Sequence, residues 1–255
     1  QDIFNSSISG WDISNVTNMN GMFNDAVAFN QDISSWTPVS VTTIREMFMG
    51  ATLFNQDLSS WSTPSLEIMQ DTFRDAIAFN QSLAGWDVSN VTNMIDVFNG
   101  ASAFNGDITG WNTGAATSMQ GMFTGATAFD QDIGNWNTSN VTVMNGMFIN
   151  AANFNRDLSA WCVSNIGSVP TNFDDGASSW TDPKPVWGTC SADAACYNPA
   201  NVGTIGTWQG CNGMLIVDNA SLRAEASSSA LGNESFDLVG PDSNTYTFAD
   251  STYNI

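Results

Sequence analysis

Tryptophan occurs at Trp11, Trp36, Trp61, Trp86, Trp111, Trp136 and Trp161, a spacing of 25 residues each time. Two phenylalanine columns keep the same count: Phe4, Phe29, Phe54, Phe79, Phe104, Phe129, Phe154, and Phe23, Phe48, Phe73, Phe98, Phe123, Phe148, Phe173. So do Met19, Ile44, Met69, Met94, Met119, Met144, Val169, and the small residues Ala26, Ala51, Ala76, Ala101, Ala126, Ala151, Gly176. Seven copies without an insertion or deletion predict a solenoid, because a loop of variable length would break the register. No copy can bury its aromatic face alone, so neighbouring coils must supply the core.

Within one copy, Val16, Met19, Met22, Phe23 and Ala26 fall three and four apart behind Ser14 and Asn15. This spacing predicts a short helix over residues 14–26. Residues 29–36 read as a short strand. Stacked in parallel at about 4.8 Å per coil, seven such strands would make a body on the order of 34 Å long.

The run Val-Thr-Asn-Met-x-x-Met-Phe-x-x-Ala-x-x-Phe-Asn-x-Asp-Ile-Ser-x-Trp, at 16–36, resembles the 25-residue repeat of BspA-like leucine-rich-repeat bacterial surface proteins. The resemblance covers 1 to about 211. It implies an α/β solenoid of leucine-rich-repeat type, with seven coils that each carry a short helix and a short parallel strand. It also implies export to the cell surface and binding of extracellular partners, and it brings no catalytic residues. The chain departs from the motif at Thr72, Val97 and Asn172, and at Thr37-Pro38 and Thr63-Pro64.

Composition narrows the function. Five Lys+Arg against 25 Asp+Glu give a net charge of −20, too few cations for nucleic acid or an anionic membrane. There is no histidine, which removes serine–histidine and cysteine–histidine nucleophile pairs and imidazole metal sites. No enzyme is expected. No apolar run approaches the roughly 18 residues of a membrane span. The N-terminal residues do not read as a signal peptide, so an exported protein would appear here in mature form.

Two polar columns form the candidate ligand face. One is Asp32, Asp57, Asp107, Asp132 and Asp157, with Ser82 in the gap, and beside it run Gln31, Gln56, Gln81, Gly106, Gln131 and Arg156. Each Asp adjoins an inward apolar residue and should point outward. Neighbouring carboxylates about 5 Å apart repel by roughly 0.8 kcal/mol in water. A functional reading makes Asp32, Asp57, Asp107 and Asp132 a ladder for Ca²⁺ or another hard cation; a plainer reading has each Asp accept hydrogen bonds from a neighbouring turn while salt screens the remaining repulsion. The column Asn5, Asn30, Asn55, Asn80, Asn105, Asp130, Asn155 could serve as a row of amides for sugar recognition, but it reads first as a structural amide ladder that pairs turn backbone groups. Asn-x-Ser/Thr sequons stand at Asn5, Asn15, Asn90, Asn137, Asn140, Asn219 and Asn233.

Beyond Phe173 the period decays: Trp180 lies one residue past 179, and a Pro-bearing segment follows. The four cysteines, Cys162, Cys190, Cys196 and Cys211, allow three pairings, of which Cys162–Cys190 with Cys196–Cys211 is expected. Oxidised cysteines would place the protein outside the cytoplasm. The expected division is a solenoid over 1–177, a disulfide-stapled cap over 178–211, and a β-rich segment over 212–255. In that segment 214–217, 236–239 and 245–248 read as strands and 220–231 as helical.

The expected function is a non-enzymatic extracellular adhesion module that takes a protein or glycan partner on the Gln and Asp columns. The alternative is a structural subunit whose solenoids stack end to end into a surface layer or filament. Uncapped coil ends would favour that association, in a segment of something larger.

Overall fold

The computed structural model describes residues 3–190 and four further strands, β1 (Met214–Val217), β2 (Leu222–Glu225), β3 (Phe236–Val239) and β4 (Thr245–Phe248). The chain divides into two compact units, Gln1–Thr189 and Cys190–Ile255.

In the first unit the 25-residue copies stack as coils. Parallel bridges run Asn18–Thr43–Ile68–Asn93–Ser118–Val143, one coil to the next. The aromatic columns stack along the same direction. Ring centroids are 5.7–6.0 Å apart from Phe4 to Phe154 and 5.4–5.8 Å apart from Phe23 to Phe148. Each coil also stacks its own two phenylalanines, as Phe98 does on Phe104 at 3.8 Å. Six tryptophans from Trp36 to Trp161 donate Nε1–H to a carbonyl 28 residues earlier, at 2.9–3.3 Å, so the core columns also carry their polar atoms satisfied.

The elements inside each coil differ from the α/β expectation. Among the described residues there is no α-helix, and the coils contain no extended strand, so this is not a leucine-rich-repeat-type α/β solenoid. The reason lies in two backbone positions per coil. Gly21, Glu46, Asp71, Asp96, Gly121 and Gly146 have φ between 53° and 64°, and Asp25, Gly50, Asp75, Gly100, Gly125 and Asn150 between 55° and 74°. A left-handed residue every fourth position ends any right-handed helix before it completes a second turn. The segment instead alternates its donors. The N–H groups of Met19, Gly21, Phe23 and Asp25 reach Thr43, Arg45, Met47 and Met49 carbonyls in the next coil, while those of Met22, Asn24 and Ala26 turn back three residues. From 19 to 26 every backbone donor is paired, that of Asn20 through the Asn18 side-chain oxygen at 2.9 Å.

Residues 29–36 are not a strand because side chains take the acceptor role. The backbone N–H of Asn30 donates to Asn5 Oδ1 at 3.0 Å rather than to a carbonyl, and the same bond recurs at Asn55, Asn80, Asn105, Asp130 and Asn155 at 2.8–2.9 Å. The amide ladder expected from the Asn column replaces the sheet ladder.

The last coil is slipped by one residue. Positive φ falls at Asn172 and Gly176, where the period calls for 171 and 175. Val169, placed in the core by its count, is 63% exposed, and Pro170 is buried instead. Gly176 is likewise displaced from the small column, with Ala177 packed against the core. Phe173 consequently meets Phe148 edge-on, at 79°, rather than stacking. Trp180, one past 179, thus occupies the first Phe column's place and stands at 90° to Phe154. Leu158 N–H donates to Pro183 O and Val163 N–H to Thr189 O, and a disulfide joins Cys162 to Cys190. The expected Cys196–Cys211 bond lies outside the described residues.

In the second unit, β1 pairs antiparallel with β2 (Met214 opposite Glu225) and β3 with β4 (Phe236 opposite Phe248). The strands expected at 214–217, 236–239 and 245–248 are present. The helix expected over 220–231 is not, since Leu222–Glu225 is a strand.

Candidate functional site

The Asp column lies on the outside of the stack, and all five carboxylates are exposed. Each closes its own tight turn. Oδ1 of Asp32, Asp57, Asp107, Asp132 and Asp157 accepts the backbone N–H two residues on, at 2.8–3.2 Å, and Ser82 Oγ does the same for Ala84 at 3.3 Å. An acceptor two residues before a turn amide is the Asx-turn arrangement, which explains why Asp and Ser interchange at this position. The hydroxyl and amide of Ser34 hold Asp32 below the usual carboxylate range, the amide and hydroxyl of Ser59 do so for Asp57, and the hydroxyl and amide of Ser159 for Asp157. A second column follows the same rule, with Asp12, Asp87, Asn112 and Asn137 accepting from Ser14, Ser89, Gly114 and Ser139. Asp12 is likewise lowered, chiefly by the Ser14 amide.

Beyond the turn bond each of these carboxylates remains exposed. Among the described residues no group of three or more His, Cys, Asp or Glu is arranged to hold a metal ion.

The Gln column is half-buried and tied to the amide ladder. Gln31, Gln56, Gln81 and Gln131 donate Nε2–H to the Oδ1 of Asn5, Asn30, Asn55 and Asn105 at 2.8–3.0 Å. Each of these four ladder oxygens therefore takes one backbone and one side-chain donor. Where the ladder carries Asp130, the next coil carries Arg156, whose Nη2 meets Asp130 Oδ2 at 2.6 Å and whose Nε meets Oδ1 at 3.0 Å. A charged pair thus replaces a neutral one at the same two positions. At Gly106 the Gln donor is missing, and a Cβ there would overlap the Gln81 carbonyl. The close approach lets Leu83 N–H donate to Asp107 O at 3.0 Å.

Other cations are also engaged. Arg74 faces Asp71, Asp75 and Asp96 at 3.3–3.9 Å, and Lys184 pairs with Asp174 while lying 5.1 Å over the Trp180 ring.

Two rows escape a reading that treats 14–26 as helical. Thr17, Thr42, Thr92, Thr117 and Thr142 form one; Asn15, Ser40, Ser65, Asn90 and Asn140 form the other. Between them Val16, Val41, Leu66, Val91, Ala116 and Val141 turn to the core, so the alternation is out, in, out. Period-two alternation with β-branched residues was the available signal.

No helix among the described residues is long and apolar enough to cross a membrane. No match is found among curated proteins or among solved structures. A family model described as "Mycoplasma protein of unknown function, DUF285" matches residues 1–86 and 69–186, the length over which the coils stack. By that match the chain belongs to the DUF285 family.

Proposed function

We propose that the chain is a non-enzymatic extracellular binding or adhesion module, which engages its partner through repeated polar rows rather than one unique pocket. The observation that carries this reading is the recurrence of the Asx-turn carboxylates at Asp32, Asp57, Asp107, Asp132 and Asp157, each fixed by its own turn amide. Identical groups held at a constant repeat suit a partner met many times at once, where weak contacts add by effective concentration. The Gln oxygens lie beside them, with Gln31, Gln56, Gln81 and Gln131 held by the ladder. The Cys162–Cys190 disulfide supports an oxidising compartment outside the cytoplasm.

The test is retention of the purified protein on immobilised matrix proteins and glycans, compared with a variant carrying Asp32→Asn, Asp57→Asn, Asp107→Asn and Asp132→Asn. Asn keeps the turn acceptor and removes the charge. The reading expects retention of the parent and its loss in the variant. Equal retention of both, or no retention of the parent on any surface, would overturn it.

A further inference from the structure

The chain carries a net charge of −20, yet one of its faces is nearly uncharged. The Thr row and the Asn/Ser row at 15–17 and their repeats hold one charged side chain, Glu67. Several of their hydrogens are spent on carbonyls of the preceding coil. Thr42, Thr117 and Thr142 donate Oγ1–H to the Thr17, Thr92 and Thr117 carbonyls at 3.0–3.2 Å. Ser40, Ser65 and Asn140 donate to the Ser14, Val39 and Gly114 carbonyls at 2.7–3.1 Å. Where the hydroxyl hydrogen is so spent, at Thr42, Thr117, Thr142, Ser40 and Ser65, oxygen lone pairs are what the rows offer outward, and the Asn amides add both donors and acceptors. The adjoining parallel bridges from Asn18 to Val143 fix neighbouring coils at a sheet-like repeat of about 4.8 Å.

We propose that this face binds a neutral, hydroxyl-rich polysaccharide lying along the stack. A row of acceptors selects a partner rich in donors. The acidic surround repels anionic chains, and a cationic partner would find its charges met elsewhere on the molecule. A regularly linked neutral glycan advances by about one sugar per coil, so its hydroxyls recur in step with the coils, at every second coil where alternate sugars are turned over, and weak bonds accumulate. This face is distinct from the Asp column, and the inference goes beyond the reading given above.

The experiment measures depletion of the protein from solution by microcrystalline cellulose, chitin and insoluble β-1,3-glucan. The protein is produced in a host that leaves the sequons at Asn15, Asn90 and Asn140, which share this face, unmodified. A variant with Thr17→Val, Thr92→Val, Thr117→Val and Thr142→Val keeps side-chain shape and removes the oxygens; its retention on the polysaccharide that holds the parent is expected to fall at least tenfold. The four-fold Asp→Asn variant is expected to stay within twofold of the parent, which separates this inference from the previous one. Glu67→Thr completes the row and should tighten retention, a gain that cannot arise from misfolding. Absence of parent binding to all three polysaccharides, or unchanged binding by the Thr variant together with no gain at Glu67→Thr, would overturn the proposal. Partitioning into growing ice without polysaccharide binding would likewise overturn it and assign the rows to ordered water.

Discussion

Replacing Gly100 by Ala tests how one coil restricts the next. Gly100 sits at φ 74°, and a Cβ there would overlap Asp75 Oδ1, with Asp75 Cγ 3.2 Å away. Gly125, at φ 68° in the same column of the next coil, has only Gly100 backbone atoms near its Cβ, at 3.7 Å. Both substitutions put an L-residue in the left-handed region, at about 1–2 kcal/mol. Gly100→Ala must also displace the Asp75 side chain. That side chain is 61% exposed and can rotate away, so the added cost is about 1 kcal/mol of lost rotamer preference rather than a full core clash. Gly100→Ala should therefore cost about 2–3 kcal/mol and Gly125→Ala about 1–2. At 2–4 °C per kcal/mol for a unit of this size, the two melting temperatures should differ by about 3 °C. Circular dichroism melts, with urea unfolding followed by tryptophan fluorescence, would measure both. A double-mutant cycle with Asp75→Gly should recover about 1 kcal/mol of the Gly100→Ala cost and none of the Gly125→Ala cost. Equal destabilisation by the two glycine substitutions, or a cycle with no coupling, would refute the reasoning.

Asp130→Asn keeps Oδ1 but takes the Oδ2 acceptor and the negative charge from Arg156 and should cost about 1 kcal/mol, modest because both side chains are partly exposed; adding Arg156→Gln rebuilds the neutral pair and should restore stability within about 0.5 kcal/mol in urea titrations. Trp180→Ala removes the edge-on ring over Phe154 and Phe148 and should cost about 3–4 kcal/mol in the same assay. Reduction of Cys162–Cys190 should lower stability by about 3 kcal/mol, read from urea midpoints with and without reductant. Asp32, Asp57 and Asp157 are lowered in the folded state, so their contribution is present above the unfolded carboxylate value of about 3.9 and is lost as pH falls through the folded values. Asn at all three positions should flatten the fall of the urea midpoint below about pH 4; an unchanged slope would contradict the assignment.

The stacking axis and most of the core were legible because Trp, Phe and Ala columns report burial directly. Local conformation was not. Spacing of three and four between Met19, Met22, Phe23 and Ala26 suits a helix, but the deciding signal was the recurrence of Gly, Asp and Asn at 21 and 25 and their equivalents, residues that tolerate left-handed φ. The strand at 29–36 failed for a related reason: Asn5, Asn30 and their successors supply the acceptor a neighbouring backbone would have supplied. Counting alone placed Val169 and Phe173 in their columns, whereas Pro170 takes the buried place and shifts everything after it by one. At the candidate site the outward Asp column was readable from its neighbours. That each carboxylate caps a turn two residues long was less so, since it depends on the Ser, Thr or Gly that follows.

The routing of backbone donors makes the coil electrically lopsided. Along the edge that runs from 19 to 25, three or four N–H groups per coil point toward the later coils; at Thr42, Thr117 and Thr142, and at the Asn ladder, they point back. Peptide dipoles of about 3.5 D, aligned down one edge through successive coils, add as they do in a helix and are only partly cancelled by the opposed rows. The stack thus behaves like a bundle of antiparallel wires with unequal numbers each way. Its positive pole on that edge falls at the slipped last coil, where Asp174 and Asp175 stand and where Asn150 N–H meets the Asp175 carbonyl. Asp175 thus places negative charge at the positive pole of the array, while Asp174 beside it is paired with Lys184.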